Sequence, residues 1–169
     1  MQPPLITMGD GFVLDRWRVR DSDALRRFDL DPEAARFFGW TVEAARDLPD
    51  EHYDGPSRER ACLEEWKAGN RLNLAIRCQG NGQAVGFVEL RPDGATAEVS
   101  YMVCAEMRGQ ELAPRALNAF LDWATEALCL RTAVLTCHVE NRASQRVADK
   151  CRFTRLAHDG ANLQYERQL

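Results

Sequence analysis

The chain is predicted to be an α/β protein of the α+β kind, in which one mixed, mostly antiparallel sheet of six or seven strands is flanked by helices. Alternating and β-branched runs follow one another between residues 72 and 103, with turns rich in Gly and Asn between them, as in an antiparallel meander. Runs with apolar residues at helical spacing lie before and after this meander. A length of 169 residues with 45% hydrophobic residues suits one domain, residues 1–169, with a sizeable core.

The first third of the chain is predicted to be mostly helical after one strand. Ser, Thr and Asp residues precede the helical runs, and these side chains accept hydrogen bonds from the free N–H groups of a first turn. Pro32 also suits a first turn, since it has no N–H to satisfy. The predicted elements are a strand in residues 11–17, helices that begin at Asp21 or Ser22, at Asp31 and at Thr41, and a helix from its cap Ser57 to Gly69.

The remainder of the chain alternates between the two periodicities. Residues 72–78 alternate strictly, and the Gly-Asn-Gly and Pro-Asp-Gly turns divide the residues that follow into two further strands. Apolar residues from Leu112 to Leu128 repeat at helical spacing, with Pro114 in the first turn. The later elements are a strand at residues 133–138, a helix after Asn141, and a hairpin of residues 153–157 and 162–167.

Charge and cysteine usage exclude several classes of function. A net charge of −4 leaves no basic footprint, so we expect no nucleic-acid partner. The sequence has no apolar run of membrane-spanning length and no signal-peptide pattern at its beginning, so we expect no membrane partner. The six cysteines are scattered without a Cys-x-x-Cys pair, which indicates reduced thiols in the cytoplasm, and neither they nor the three histidines have metal-site spacing, so we expect no metal.

The segment from Ala97 to Ala119 is the strongest candidate for a binding site. A strand over residues 97–103 leads through the turn Arg108-Gly109-Gln110 into the central helix. The first N–H groups of a helix have no partner within it, and the helix dipole adds positive potential at the same end. The segment is therefore predicted to bind a phosphate group.

Two motifs carry a family resemblance. The residues from Arg108 to Ala113 resemble the Gln/Arg-x-x-Gly-x-Gly/Ala acetyl-CoA motif of the Gcn5-related N-acetyltransferases (GNAT), except that Glu111 replaces a glycine. The residues from Asn141 to Phe153 are similar to the Asn-x-x-Ser-x-x-Val…Lys-x-Gly-Phe pattern of the branch that acetylates ribosomal-protein N-termini (the RimJ/RimL type), except that Arg152 replaces a glycine. The order of predicted elements agrees with that fold along nearly the whole chain.

The resemblance implies an N-acetyltransferase that transfers an acetyl group from acetyl-CoA, as cosubstrate, to a primary amine in a ternary complex. The end of the strand before the turn would pair its backbone with the pantetheine arm, and Arg108 would add positive charge at the pyrophosphate. By the resemblance alone, a homodimer is also expected. The implied cofactor-binding residues are Met102, Val103, Cys104, Arg108, Gly109, Gln110, Glu111, Leu112, Ala113, Asn141 and Ser144.

Three residues are candidates for the chemistry. The resemblance to histone-acetylating members implies Glu98 as the general base, provided that partial burial strengthens its carboxylate as a base; the alternative is a structural acid. His138, at a strand end, is the second candidate base, or else a hydrogen-bonded structural residue. Ser144 matches a serine that lies near the CoA sulfur in the ribosomal-protein branch, but both it and Asn141 occupy positions typical of helix caps.

The sequence leaves two questions open: which amine is the acceptor, and whether the chain is catalytic. Acidic residues beside aromatic ones would suit a cationic amine or a peptide N-terminus, and an acidic solvated loop over an aromatic cluster explains the same pattern. The replaced glycines favour the alternative function, a non-catalytic acyl-CoA-binding or regulatory module with a degraded motif. The residues in question are Phe37, Phe38, Trp40 and Tyr53, with Asp47, Asp50, Glu51 and Asp54.

Overall fold

The computed structural model describes the backbone of residues 1–169 and every side chain except that of Ala157. Eight strands and six α-helices alternate along the chain, with three short 3-10 turns at Val19–Asp21, Asp50–Tyr53 and Ala105–Met107. The strands are β1 (Ile6–Gly9), β2 (Phe12–Asp15), β3 (Leu72–Cys78), β4 (Ala84–Asp93), β5 (Thr96–Val103), β6 (Thr132–His138), β7 (Thr154–His158) and β8 (Asn162–Gln168). The helices are α1 (Ser22–Asp29), α2 (Pro32–Phe38), α3 (Val42–Arg46), α4 (Gly55–Ala68), α5 (Leu112–Leu128) and α6 (Arg142–Lys150).

One sheet joins all eight strands in the order β1-β2-β3-β4-β5-β6-β8-β7. Every pair is antiparallel except β5 and β6, which are parallel and pair only at residues 96–98 with residues 132–134. Beyond Glu98 the two strands separate, while β5 keeps its pairing with β4 and β6 keeps its pairing with β8. The sheet therefore contains a V-shaped gap between β5 and β6, whose closed end lies at Glu98.

Helices cover both faces of this sheet. The apolar face of α5 supplies fully buried Leu117, Phe120 and Leu121, and this helix packs against β4 and β5. On the other face α1 packs against β4, where the rings of Phe28 and Phe87 lie 6.2 Å apart. No helix among the described residues is both long enough and apolar enough to cross a membrane.

The fold prediction is confirmed in class and element order, with one strand more than the highest number predicted. The extra strand, β1, forms a hairpin with β2 through a tight turn in which Gly9, Asp10 and Gly11 all have positive φ. The backbone oxygens of Met8 and Gly9 also accept hydrogen bonds from Arg115 on α5. Four residues are too few to establish a periodicity, so the sequence pattern did not indicate this strand.

One predicted helix cap is wrong, and a second is confirmed in position only. Asp54, not Ser57, caps α4: its carboxylate accepts the Ser57 N–H at 2.9 Å, so the cap lies three residues earlier than predicted. Asp21 holds the N-cap position of α1, but its side chain makes no capping bond there, because the carboxylate is buried against Arg77 at 2.8 Å. The cap at Asp31 is confirmed, with Oδ1 accepting two backbone N–H groups at 3.0 Å.

Candidate functional site

The V-shaped gap opens into a cleft of about 780 Å³, formed by β5, β6, α2, α6 and the beginning of α5. Most of the residues singled out from the sequence border this cleft, although they come from four separate segments of the chain. Cys104 and Gln110 do not border it. Those that do are Glu98, Met102, Val103, Arg108, Gly109, Glu111, Leu112, Ala113, His138, Asn141 and Ser144.

Free backbone N–H groups line the cleft where α5 begins. Within the described chain, the N–H groups of residues 109–113 donate to no protein acceptor; the first bond of the helix runs from Arg115 N to Glu111 O. Gly109, in the turn before the helix, has a φ of +76°. This helix start therefore presents several adjacent donors and the positive end of a 17-residue helix, as a phosphate site requires.

Glu111 adopts a left-handed backbone conformation, which glycine adopts without strain, at the position where the family pattern has glycine. Its φ is 59° and its ψ is 17°, in the left-handed region that side chains normally avoid. Its carboxylate turns toward α6, where the Lys150 ammonium lies 2.5 Å away. The backbone path of the motif is thus kept, and the carboxylate at the edge of the donor group is neutralised by a neighbouring cation.

Arg152, at the second replaced glycine, also has a left-handed backbone conformation. Its φ is 60°, directly after the end of α6. The adjoining Phe153 N–H donates to Ala148 O at 2.9 Å, a bond that closes the helix end around a left-handed residue. Both departures from the family pattern therefore change the side chain but retain the local fold.

Arg108 is engaged by protein acceptors on all three of its nitrogens. Its two terminal nitrogens lie 2.5 Å from Asp31 and 2.7 Å from Glu33, both at the beginning of α2, and its Nε donates to Val103 O at 3.2 Å. These contacts join α2 to the turn before α5. They also neutralise the guanidinium that the sequence pattern assigns to the pyrophosphate.

The balance of charge around the cleft leaves one cation without a carboxylate partner among the described residues. Arg91 is paired with Glu89 and Glu98, Arg108 with Asp31 and Glu33, and Lys150 with Glu111. The remaining cation, Arg146, lies one turn before Lys150 on the exposed side of α6 and borders the cleft. An anionic ligand would meet its positive side chain first.

Glu98 stands where β5 and β6 diverge, about half exposed, with its carboxylate 3.3 Å from the Arg91 guanidinium. The role expected from the sequence called for partial burial of this carboxylate. The side chain is instead half exposed and paired with Arg91, so the expected burial is not found.

A buried polar network behind Glu98 escaped the sequence analysis. Glu89 on β4 is 1% exposed and contacts Arg91, while Asn73 Nδ2 and Arg71 Nε each donate to it at 2.7 Å. Arg91 in turn donates to Ser100 Oγ at 3.0 Å on β5. The available signal was a glutamate between the apolar residues Val88 and Leu90, because a buried charge needs partners.

The His138 ring accepts a hydrogen bond from the backbone. Its Nδ1 accepts the N–H of Glu140 at 3.2 Å, which leaves the proton of the neutral ring on Nε2. The lone pair needed to take a proton from an amine is therefore already used. On its other side the ring lies 6.1 Å from that of Phe37 on α2.

Ser144 and Asn141 divide the two roles that the sequence left open. Asn141 is the cap of α6, and its Oδ1 accepts the Ser144 N–H at 3.0 Å. The Ser144 hydroxyl is not used for capping and lies 2.7 Å from the hydroxyl of Tyr101 on β5. Tyr101 and Glu98 lie on opposite faces of β5, as strand alternation requires.

The thiols near the cleft are held in their protonated form. Burial raises the pKa of the Cys137 thiol on β6, and burial together with nearby Glu106 raises that of Cys104. Burial also raises the pKa of Cys151 to about 11. Since the thiolate is the nucleophilic form, a covalent acyl-cysteine is disfavoured.

The aromatic residues singled out for the acceptor divide into two groups. Phe37 and Phe38 border the cleft, with Phe38 about half exposed and stacked on Trp40 at 5.4 Å. Trp40 and Tyr53 lie outside it: Trp40 donates to Asp29 O, and Tyr53 is buried under Arg26. The acids of residues 47–54 do not border it either.

Comparisons with known proteins identify the family and the fold. The family model described as "Acetyltransferase (GNAT) domain" matches residues 12–154, whereas the comparison with curated proteins gave no match. A RimL ribosomal L7/L12 α-N-protein acetyltransferase, solved with CoA in a disulfide with a cysteine of that protein, has a TM-score of 0.82, 18% identity and 98% coverage of both chains.

Two further structures are similar at comparable identity. The microcin C7 self-immunity acetyltransferase MccE, with acetyl-CoA and AMP, has a TM-score of 0.80, 16% identity, and coverage of 96% of this chain and 94% of that chain. The Salmonella typhimurium acetyltransferase that modifies the N-terminal serine of ribosomal protein L7/L12 has a TM-score of 0.78, 18% identity, and coverage of 98% and 99%. With the family match over most of the chain, this chain belongs to the GNAT acetyltransferase family and is an acyltransferase.

Proposed function

We propose that this protein transfers the acetyl group of acetyl-CoA to a primary amine by direct attack in a ternary complex. The observation that carries the proposal is the gap between β5 and β6, which opens beside the free N–H groups at the beginning of α5. The first acceptor to test is a peptide N-terminus, since two similar structures are ribosomal-protein N-terminal acetyltransferases. We also propose a cytoplasmic location and a homodimeric assembly.

The donor half of the site would hold an extended ligand. The N–H groups of residues 109–113 bind the pyrophosphate, and Arg146 adds positive charge. The edge of β5 from Val99 to Val103 has no strand partner on the side of β6, so its backbone is available to the amide groups of a pantetheine arm. In this arrangement the arm takes the place of a strand within the gap.

The proposed reaction uses two residues, Glu98 and Ser144, which approach the gap from opposite faces of β5. Glu98 takes a proton from the amine, directly or through water, as the C–N bond forms. The C–S bond breaks with its electron pair on sulfur, and the Ser144 hydroxyl donates a hydrogen bond to the departing thiolate. His138 is the second candidate base, and its occupied Nδ1 makes Glu98 the better one.

A charge reversal on α6 tests the donor half of the site. We expect wild type to bind acetyl-CoA in calorimetric titration, and Arg146→Glu to weaken binding by about tenfold at low salt, with a smaller difference at high salt. Arg142→Glu is the matched control, because Arg142 is exposed on the same helix and does not border the cleft. Its affinity should stay within about twofold of wild type.

Turnover separates the enzyme from the non-catalytic alternative. Release of the CoA thiol is measured with peptides that begin with Ser or Ala and with small primary amines. Binding without turnover across this panel would favour the acyl-CoA-binding module. Failure of wild type to bind acetyl-CoA would contradict the proposal as a whole.

A further inference from the structure

Tyr101 contacts the same serine twice. Its hydroxyl lies 2.7 Å from Ser144 Oγ and 3.4 Å from the Ser144 backbone oxygen. The tyrosine comes from β5 and the serine from the first turn of α6, 43 residues apart, so the contact spans the cleft wall on the face opposite Glu98. The Cys137 thiol also lies beside the serine hydroxyl.

Each of the two hydroxyls has one hydrogen, and the direction of their bond decides where the serine proton points. If Ser144 donates to Tyr101, its proton faces the protein and is lost to any ligand. If Tyr101 donates to Ser144, the serine proton is free to turn toward the cleft. Phenols are stronger donors and weaker acceptors than aliphatic alcohols, because the ring withdraws electron density from the oxygen.

Burial removes the state of the tyrosine that could only accept a hydrogen bond from the serine. A phenolate could only accept, and it would draw the serine proton toward itself. Desolvation raises the pKa of Tyr101, so its hydroxyl stays protonated across the working range of an enzyme. The long contact to the Ser144 backbone oxygen is too weak to compete for the phenol hydrogen.

We propose that Tyr101 is a positioning residue, whose phenol donates to Ser144 Oγ and thereby directs the serine proton into the cleft, toward the sulfur of bound CoA. This inference rests on the proposed function. Tyr101 transfers no proton: the electron pair of the broken C–S bond stays on sulfur, the amine proton goes to Glu98, and the serine supplies a hydrogen bond.

The test measures the pKa of the thiol of CoA bound to the protein, followed by the ultraviolet absorbance of the thiolate. A hydrogen bond from Ser144 stabilises the thiolate, so Ser144→Ala should raise this pKa by about one unit. Tyr101→Phe should raise it by a similar amount, and the double variant should raise it no further. Tyr165→Phe is the control, since this buried tyrosine on β8 makes no hydrogen bond to Ser144 within the described residues.

Turnover adds a second readout. With an acceptor found in the amine panel, Tyr101→Phe should lower kcat about tenfold with little change in the KM for acetyl-CoA, because the bond acts on the departing thiolate. Calorimetry and thermal unfolding of each variant verify that it binds CoA and is folded.

The outcomes separate this inference from the function on which it rests. A bound-thiol pKa that is unchanged in Tyr101→Phe, or that rises additively in the double variant, would overturn the inference alone. An unchanged pKa in Ser144→Ala would overturn the inference together with the proposed role of the serine at the thiolate, while acetyl transfer itself would stand. Absence of CoA binding by wild type would overturn the proposed function, and the inference with it.

Discussion

Glu111 and Arg152 occupy left-handed backbone positions that the family pattern fills with glycine. Such a conformation costs a residue with a Cβ roughly 1–2 kcal/mol, so both sites keep local strain. At Glu111 the strain coincides with a carboxylate beside the donor group of α5 and an ion pair to Lys150. The two residues therefore have the same backbone conformation, but only Glu111 places a charge beside the free N–H groups of α5.

This difference gives a prediction for the donor site. Glu111→Gly should tighten acetyl-CoA binding by about fivefold, because it removes a negative charge near the phosphates and frees the Lys150 ammonium. Arg152→Gly relieves the same kind of strain outside the cleft and is the matched control, so its affinity should equal that of wild type. Calorimetric titration of both variants measures the effect. Equal affinity in Glu111→Gly and wild type would show that the carboxylate does not oppose binding.

For single residues, the sequence predicts which residue stands in a motif but not which side chains it contacts in the fold. Glu111 is recognisable as a departure from the motif, yet Lys150 lies 39 residues away and only the fold brings them together. Arg108 matches the motif as well, but its carboxylate partners on α2 lie 75 and 77 residues away. A motif states which residue stands in the turn, while its charge environment depends on distant segments.

The short helix α2 is attached to both sides of the cleft. Its first turn holds Arg108 through Asp31 and Glu33, and Arg36 in its last turn lies 2.5 Å from Glu140 after β6. Seven residues are too few for a stable isolated helix, so these tertiary contacts and the Asp31 cap maintain it. The position of Phe37 and Phe38 at the cleft depends on the same attachments.

The two attachments should differ in strength. Arg108→Ala leaves the nearly buried Asp31 carboxylate without its guanidinium, and we expect it to cost about 1–2 kcal/mol of unfolding free energy and to speed hydrogen exchange in residues 32–38. Arg36→Ala breaks an exposed pair and should cost less than about 0.5 kcal/mol. Urea unfolding and exchange mass spectrometry compare the two variants. Equal losses would contradict the assignment of Arg108 as the principal attachment.

Elements were predictable in proportion to their length and regularity. The alternating strand β3 has the predicted boundaries, and α5 begins and ends close to where its apolar spacing does. The two departures at helix caps involve acidic side chains whose partners could not be read from the sequence: Asp21 stands at the cap position but pairs with Arg77, and Asp54 stands one position before a Gly-Pro pair.

At the scale of the whole molecule, Arg77 joins the sheet to the segment that leads into α1 and α2. It is 3% exposed on β3 and contacts Asp15 and Asp21, while it also donates to the backbone oxygens of Arg16 and Gly82. Hydrogen bonds and the charges of both aspartates raise the pKa of the guanidinium against the opposing effect of burial. The segment that carries α2 to the cleft is thus anchored through one buried cation.

Removal of this cation should destabilise the fold. Arg77→Met leaves the Asp21 carboxylate buried without its partner, and we expect a loss of about 3–5 kcal/mol in unfolding free energy. The control is Arg155→Met on the exposed strand β7, which should stay within about 0.5 kcal/mol of wild type. Urea unfolding gives both values. A double variant with Asp21→Leu should recover part of the loss, and no recovery would argue against the ion pair as its cause.

The cleft itself is the least predictable feature. Its existence depends on how many residues of β5 and β6 pair, a register between segments 36 residues apart that no local pattern encodes. The resemblance supplied the residues around it, and Glu98, Ser144 and the beginning of α5 do border one space. The buried Glu89 network and the Tyr101–Ser144 contact depend on the same assembly and could not be read from the sequence.

Only three residue pairs join β5 to β6, and this seam divides the sheet into two parts. Five strands, β1 to β5, lie on one side of that seam and three, β6 to β8, on the other. A ligand bound in the gap, as proposed for the pantetheine arm, would pair with the free edge of β5 and so strengthen the junction between the two parts of the sheet. The free energy of unfolding would then rise with the logarithm of ligand concentration once that concentration exceeds the dissociation constant.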